Sequence, residues 1–359
     1  MDDTAYKNLA KVLDTLPNGF PATENGLEIK LLKKIFTADE AELFCDLKLH
    51  LETAEQIAER TGRPLEGLEE KLTSMGQKGE IWGQEVNGIK SFRMMPWVVG
   101  IYEFQLNRMD REFCELCEEY TMHLGPQLVG FGPSIMQVIP IEEDIPADQK
   151  ALPYQQVSRI IENGKSFMVN ECICKKEQGI MDNPCEKPLE ICLAIGAEEG
   201  AFENYPGGGR VLTREGAFEV LKKAEEAGLV HLSSNVQNGH WYICNCCGCC
   251  CGLLRAINMG IPNVVNSHYF AQIDPDLCTA CGTCLEERCQ VAAIVEGDEA
   301  YSVNQDRCIG CGLCVSTCPT EAIQLVRKPE DKIVIPPVDE TAWLDERARQ
   351  RGVDYSAYK

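Results

Sequence analysis

Apolar and polar positions over the first hundred residues follow helical spacing and then strand spacing. Leu65, Leu68, Leu72 and Met75 form one apolar stripe along a helix. Upstream, Thr37 with Glu40 and Thr53 with Gln56 each fit the capping box, in which the two side chains satisfy opposing amides at a helix start. Asn87-Gly88, set between Ile81-Trp82 and the run Ile89 to Phe92, is a tight-hairpin signal. The expected order for residues 1–100 is helix, helix, helix, hairpin.

Residues 101–270 read as a mixed, cysteine-rich α+β region. Ile139-Pro140-Ile141-Glu142-Glu143-Asp144-Ile145-Pro146 predicts a linker, because its prolines and acids disfavour regular structure. Thr213 precedes an amphipathic helix with Ala217, Val220, Leu221 and Ala224 inward, and Gly228 stops it before Leu229-Val230-His231-Leu232. A second hairpin, turning at Asn238-Gly239, leads through Trp241-Tyr242-Ile243 into a cysteine run. Residues 271–328 form a compact cysteine-bearing segment. Residues 329–359 are a polar, proline-containing tail with one charged helix expected near Glu340 to Arg351 and no evident function.

The N-terminal order resembles a winged-helix module, with Pro64 to Met75 in the place of the recognition helix. That segment carries Glu66, Glu69 and Glu70 but only Lys71, whereas helices that read DNA grooves present Arg, Lys or Asn. Protein docking or a structural role is the expectation. The formal net charge of -22 points the same way, since nucleic-acid and anionic membrane surfaces attract clustered Lys and Arg. A redox partner protein with a basic docking patch suits this surface, and solubility alone is the plainer account of the charge.

Twenty-one cysteines in 359 residues, grouped in short spacings, suggest metal ligation more than a disulfide framework. The N-terminus shows no basic region followed by an apolar run, and no window has the apolar length of a membrane span, so a cytoplasmic protein without membrane insertion is expected.

The C-terminal segment contains an internal repeat. Cys278-x2-Cys281-Gly282-x-Cys284 recurs as Cys308-x2-Cys311-Gly312-x-Cys314, and Cys289-Gln290-Val291-Ala292-Ala293-Ile294 matches Cys318-Pro319-Thr320-Glu321-Ala322-Ile323. Three thiolates two residues apart can curl around one cubane, with glycine letting the backbone approach. The repeat resembles the bacterial two-cluster ferredoxins, which implies two 4Fe-4S clusters. In that family the fourth cysteine of each half ligates the other cluster. Carried over, one cluster takes Cys278, Cys281, Cys284 and Cys318, and the other takes Cys308, Cys311, Cys314 and Cys289. Four residues separate Cys284 from Cys289 where the family has three, and no proline follows Cys289, so looser backbone is expected there. Paired zinc sites are the rival reading, but they do not call for this duplicated quartet.

Ten more cysteines lie in the middle region: Cys172, Cys174, Cys185 and Cys192, then Cys244, Cys246, Cys247, Cys249, Cys250 and Cys251. Neighbouring residues project in different directions, so the dense run cannot turn every thiolate onto one metal, and some are expected to meet the first set. One or two further iron-sulfur clusters are expected, against zinc or a regulatory dithiol. A Cys-x-Cys followed by such a run resembles a region of larger ferredoxin-like proteins of anaerobic bacteria and archaea. Cys114-x2-Cys117 lies on an expected helix and reads as structural. His240, four residues before Cys244, reads as structural in preference to a ligand.

Neither G-x-G-x-x-G after a strand nor G-x-x-x-x-G-K-[ST] occurs, which leaves nicotinamide and nucleoside-triphosphate sites unsupported. Gly207-Gly208-Gly209-Arg210 reads as a loop more than as an anion cradle. The function expected is single-electron transfer as part or partner of an anaerobic oxidoreductase. The alternatives are an oxidoreductase with an unusual cluster in the middle region, or a redox- or iron-sensing winged-helix regulator.

Overall fold

The computed structural model describes residues 3–145, 152–203 and 208–359 and shows an α+β protein. Its helices are α1 (Thr4–Thr15), α2 (Leu27–Ile35), α3 (Ala38–Phe44), α4 (Ala54–Thr61) and α5 (Leu68–Gln77), followed by the hairpin β1 (Trp82–Val86) and β2 (Ile89–Arg93). Both expected capping boxes form, at Thr37 and Thr53. The apolar stripe holds from Leu68 through Met75, but Leu65 precedes the helix and is exposed. Asn87 and Gly88 both take positive φ, the conformation that lets a two-residue turn follow the twist of its strands. Helix α6 (Arg111–Gly130) adds Phe113, Cys117, Tyr120 and Leu124 to the same apolar core, which runs from Ala5 to Leu124. Cys114 is also buried.

Among the described residues, the middle of the chain builds one seven-stranded sheet. Its elements are β3 (Met136–Val138), α7 (Val157–Asn163), β4 (Ser166–Glu171), α8 (Ile173–Ile180), β5 (Glu190–Gly196), β6 (Arg210–Leu212), α9 (Arg214–Glu226), β7 (Val230–Ser234), β8 (Tyr242–Cys246), α10 (Gly252–Asn258) and β9 (Val265–Asn266). The strand order is β6-β4-β5-β8-β7-β3-β9, with every pair antiparallel except β3 with β9. Side chains alternate across a strand. Phe167, Leu193, Ile195 and Ile243 therefore face α7 and α9, while Met168, Cys192, Ala194, Tyr242 and Cys244 lie on the other face. Thr213 caps α9, and the four expected apolar positions are buried.

The segment expected to be a linker is instead threaded through the core. Ile139 and Ile141 are buried, the Ile139 amide donates to the His231 carbonyl, and the Ile141 amide donates to the Cys311 carbonyl. Pro146 at its end lies outside the described residues, as do Tyr205, Pro206 and Gly207 of the glycine-rich stretch. In the rest of that stretch, Gly209 packs against Asn170 and Met168, and Arg210 opens β6 and pairs with Glu190.

Four short strands complete the chain: β10 (Tyr269–Ile273) pairs with β13 (Ile323–Arg327), and β11 (Ile294–Val295) with β12 (Ser302–Val303). Helix α11 (Glu340–Arg351) forms where a charged helix was expected, and it is packed, with Trp343, Arg347 and Ala348 buried. Among the described residues, no helix is long and apolar enough to cross a membrane.

Candidate iron-sulfur sites

Strand register places the C-terminal cysteines. In the β10–β13 ladder Ile273 faces Ile323, with Cys278 five residues after the first and Cys318 five before the second. In the β11–β12 ladder Ile294 faces Val303, with Cys289 five residues before the first and Cys308 five after the second. Each ladder thus delivers one early and one late cysteine to the same end. Backbone bonds repeat as well: Cys278 donates to Asp274 O and Cys308 to Asn304 O, while Asp276 and Asp306 donate to the side chains of Asp274 and Asn304.

Positive φ recurs at matching places: Ala280 and Gly310, Gly282 and Gly312, Ala292 and Glu321. The first two pairs curl each Cys-x2-Cys-Gly-x-Cys loop inward, and the third turns the chain three residues after the fourth cysteine. Gly310 has a second constraint, because a Cβ there would lie 2.3 Å from Tyr269 O.

The eight thiols gather in two neighbouring groups. Cys281 and Cys284 feel the charge of Cys318, and Cys311 and Cys314 feel that of Cys308 and Cys289. Burial pushes the Cys284 thiol up to about 11 and Cys311 up to about 12. Exposed Cys281 is lowered by hydrogen bonds from Thr283. Amides are aimed at sulfur, from Tyr301 to Cys278 (3.4 Å), Ala293 to Cys289 (3.2 Å) and Ala271 to Cys308 (3.2 Å). Eight thiols in two groups, with backbone donors directed at the sulfurs, fit iron-sulfur clusters. The longer Cys284–Cys289 spacing is not loose. It closes a π-helical turn in which Cys289 N donates to Cys284 O at 3.0 Å. Buried Arg288 pins that turn to the carbonyls of Leu313, Glu225 and Glu226.

The ten middle cysteines gather around β5, β8 and the turn before α10. Cys185, Cys247, Cys249 and Cys250 have sulfurs within 4.8 Å of one another. The other six influence one another in two sets, Cys172 with Cys174, and Cys244 with Cys192 and Cys246, the last also with Cys251. Cys174 also feels the charge of Cys251. Hydrogen bonds from Cys192 and Cys246 hold the Cys244 thiol well below the ordinary cysteine range. Buried Lys175, bonded to Pro188 O, sets a positive charge near both Cys172 and Cys247. His240 is apart from this bonding, with both ring nitrogens buried and without a hydrogen-bond partner among the described residues, and burial pushes it down to about 4.

Sequence reasoning missed the neighbours of this region. Tyr102 donates to Glu177, whose carboxyl burial pushes up to about 7, and the Arg255 guanidinium clasps Glu118. Glu103 accepts from the Gly100 amide at 2.7 Å, and desolvation pushes it up to about 8 beside Cys244. A cavity of about 740 Å³ opens between the β1–β2 hairpin and the sheet, lined by Trp82, Phe104, Met168, Ala194, Trp241 and Tyr242 among others. Ala194 and Tyr242 stand two residues from Cys192 and Cys244, on the same face. No sequence spacing links residues so distant in the chain.

Comparison with known proteins bears on the C-terminal quartets. A family model described as a 4Fe-4S binding domain matches residues 301–324, which include Cys308, Cys311, Cys314 and Cys318. Ferredoxin-2 of Chlorobaculum tepidum is 37% identical over 54 residues, 13% of this chain and 86% of that protein. The chain belongs to the ferredoxin family. Ferredoxin 7Fe of Hydrogenibacillus schlegelii is 40% identical over 50 residues, 14% of this chain and 63% of the relative. A Proteus vulgaris protein, named for the Frd operon as a probable iron-sulfur subunit, is 42% identical over 41 residues, 11% of this chain. The chain spans only 26% of that relative's length. The matched domain and the ferredoxin relatives support an iron-sulfur, 4Fe-4S, electron-transfer role.

Proposed function

We propose that this ferredoxin-family chain passes single electrons between a partner protein and an oxidoreductase assembly, in the cytoplasm. Two 4Fe-4S clusters are held by the crossed quartets, and the middle cysteines hold one or two further metal centres. The clusters supply reversible one-electron chemistry, and the chain sets their exposure, hydrogen bonding and order. The observation that carries this reading is the graded placement of the sulfurs. Cys281 is exposed, whereas Cys289, Cys308, Cys311 and Cys314 are not. Cys289, Cys308 and Cys311 pack on one apolar cluster together with Cys244, Cys246 and Cys251. This placement supports a path from the surface at Cys281 through the ferredoxin module to the middle cysteines that share its apolar cluster. The relative named as an iron-sulfur subunit supports membership of a larger complex.

Exposed Glu286 and Glu296 lie close enough to act on Tyr301 beside Cys281, and Glu287, Asp298 and Glu299 next to them in sequence are exposed as well. A basic partner would dock there. The N-terminal helices and hairpin serve as a winged-helix-like docking or structural module and not as a DNA reader. Acidic Glu69 and Glu70 open α5, and Lys71 is engaged by Asp39. The test is stopped-flow electron exchange with a basic redox protein. Glu286→Lys with Glu296→Lys should slow association about tenfold at low salt, and the difference should vanish at high salt. Equal rates at low salt would sink the docking site.

Catalysis in the middle region is the second reading, favoured by the cavity that opens on the same sheet face as Cys192 and Cys244, with Glu103 nearby. It requires turnover by the purified chain. The electron-carrier reading expects none with NADH when no partner is added, and sustained partner-free turnover would reverse the ranking.

A further inference from the structure

The ten middle cysteines divide by geometry. Cys185 meets Cys247 at 3.8 Å and Cys249 at 3.6 Å, while Cys249 meets Cys247 at 3.3 Å and Cys250 at 3.6 Å. A tetrahedral ion with metal-sulfur bonds of about 2.3 Å requires sulfurs about 3.8 Å apart. These separations far exceed an S–S bond of about 2.05 Å, and all four thiols are free. A cubane interposes irons and sulfides between its ligands and holds them further apart. The ferredoxin quartets stay open. Among the described residues, only this group brings three or more ligand-type side chains within 4.8 Å of one another.

We infer that Cys185, Cys247, Cys249 and Cys250 hold one tetrahedral thiophilic ion, zinc or iron, and not an iron-sulfur cluster. The inference rests on the reading that the middle cysteines bind metal, and it leaves Cys172, Cys174, Cys192, Cys244, Cys246 and Cys251 as the ligands for a cluster. Fold and ligation agree. Three ligands come from the turn that ends β8, and the fourth comes from the loop after α8. Gly248 within the turn donates to the Gln290 side chain at 3.0 Å, and a Cβ there would lie 2.0 Å from Gln290 O. The ion therefore fastens the end of β8 and the loop after α8 against the residue that follows Cys289. Its role is to hold the middle cysteines in place against the ferredoxin module.

The test uses full-length protein purified anaerobically, with metal analysis, zinc X-ray absorption and iron Mössbauer spectroscopy. The expected result is about one zinc per chain with four sulfurs near 2.3 Å, or about one iron with a mononuclear four-sulfur signature. The Cys185→Ser, Cys249→Ser variant should lose that ion and keep the ferredoxin EPR signals and the remaining iron. Loss of about four irons from this variant, or no loss of metal, overturns the inference. Should the variant fail to fold, the unmodified chain decides: neither a four-sulfur zinc nor a mononuclear iron signal means there is no such site. A Cys172→Ser, Cys174→Ser variant separates the two claims. Unchanged iron there would refute the middle cluster while leaving the single-ion result intact.

Discussion

Arg347 lies on α11 with no exposed surface, and its guanidinium donates to five main-chain carbonyls: Pro17, Gln127, Leu128, Phe131 and Pro133. Burial pushes it down to about 10, which leaves it charged at neutral pH. One side chain thus ties the tail to the loop after α1 and to the end of α6. Arg351 adds bonds to Asp14 O and Leu16 O. Arg347→Ala strands those carbonyls and should cost about 3–5 kcal/mol. Arg347→Lys should recover less than half, because an ammonium has three donors where the guanidinium fork has five. Anaerobic denaturant titration measures both, and an unchanged midpoint for the alanine variant would refute the clamp. A run of charged residues in a tail ordinarily reads as solvated surface. Only the distant carbonyls that meet Arg347 show otherwise, so the sequence carried no local sign of its burial.

Among the elements, the two ferredoxin loops share one backbone path but differ in tolerance. Gly310 sits at a positive φ with Tyr269 O in the space a Cβ would fill, while Ala280 holds the matching conformation with its Cβ in place. Gly310→Ala must displace β10 and should remove about half of the ferredoxin iron. Ala280→Gly should leave iron content unchanged and alter stability by less than about 1 kcal/mol. Full iron in the Gly310→Ala protein would mean the loop is more pliable than its contacts imply. Local signals were legible at this scale: Thr37, Thr53 and Thr213 as caps, Asn87-Gly88 as a turn, and the repeat from Cys278 to Cys318. Features set by distant partners were not. Pro140 and the acids around it predict a linker, yet Ile139 and Ile141 are fixed by His231 and Cys311, far along the chain. The partition of the ten cysteines was hidden for a similar reason. Cys244 and Cys246 share a strand face, but the turn at Gly248 carries Cys247, Cys249 and Cys250 to a different set of neighbours.

For the molecule as a whole, the ferredoxin module is built into the fold instead of hanging from it. Ile141 donates to Cys311 O and packs on Gly312, Arg288 reaches Glu225 and Glu226, and Gly248 reaches Gln290. All of these contacts fall on the half that holds Cys289, Cys308, Cys311 and Cys314, or on the π-helical turn that leads into Cys289. The half with Cys278, Cys281, Cys284 and Cys318 opens to solvent at Cys281. An excised module of residues 267–328 retains all eight candidate ligands and should take up about eight irons on anaerobic reconstitution. It loses the cover over one half only. Iron release to a ferrous chelator should therefore be biphasic in the full-length chain, with the solvent-facing half fast and the covered half slow. In the excised module the slow phase should accelerate at least severalfold while the fast phase stays unchanged. Uptake of about four irons by the fragment would refute the crossed quartets, since they draw every ligand from within it. Identical release from fragment and full chain would show that the middle region gives the second cluster no protection, and the path from Cys281 inward would lose its physical basis.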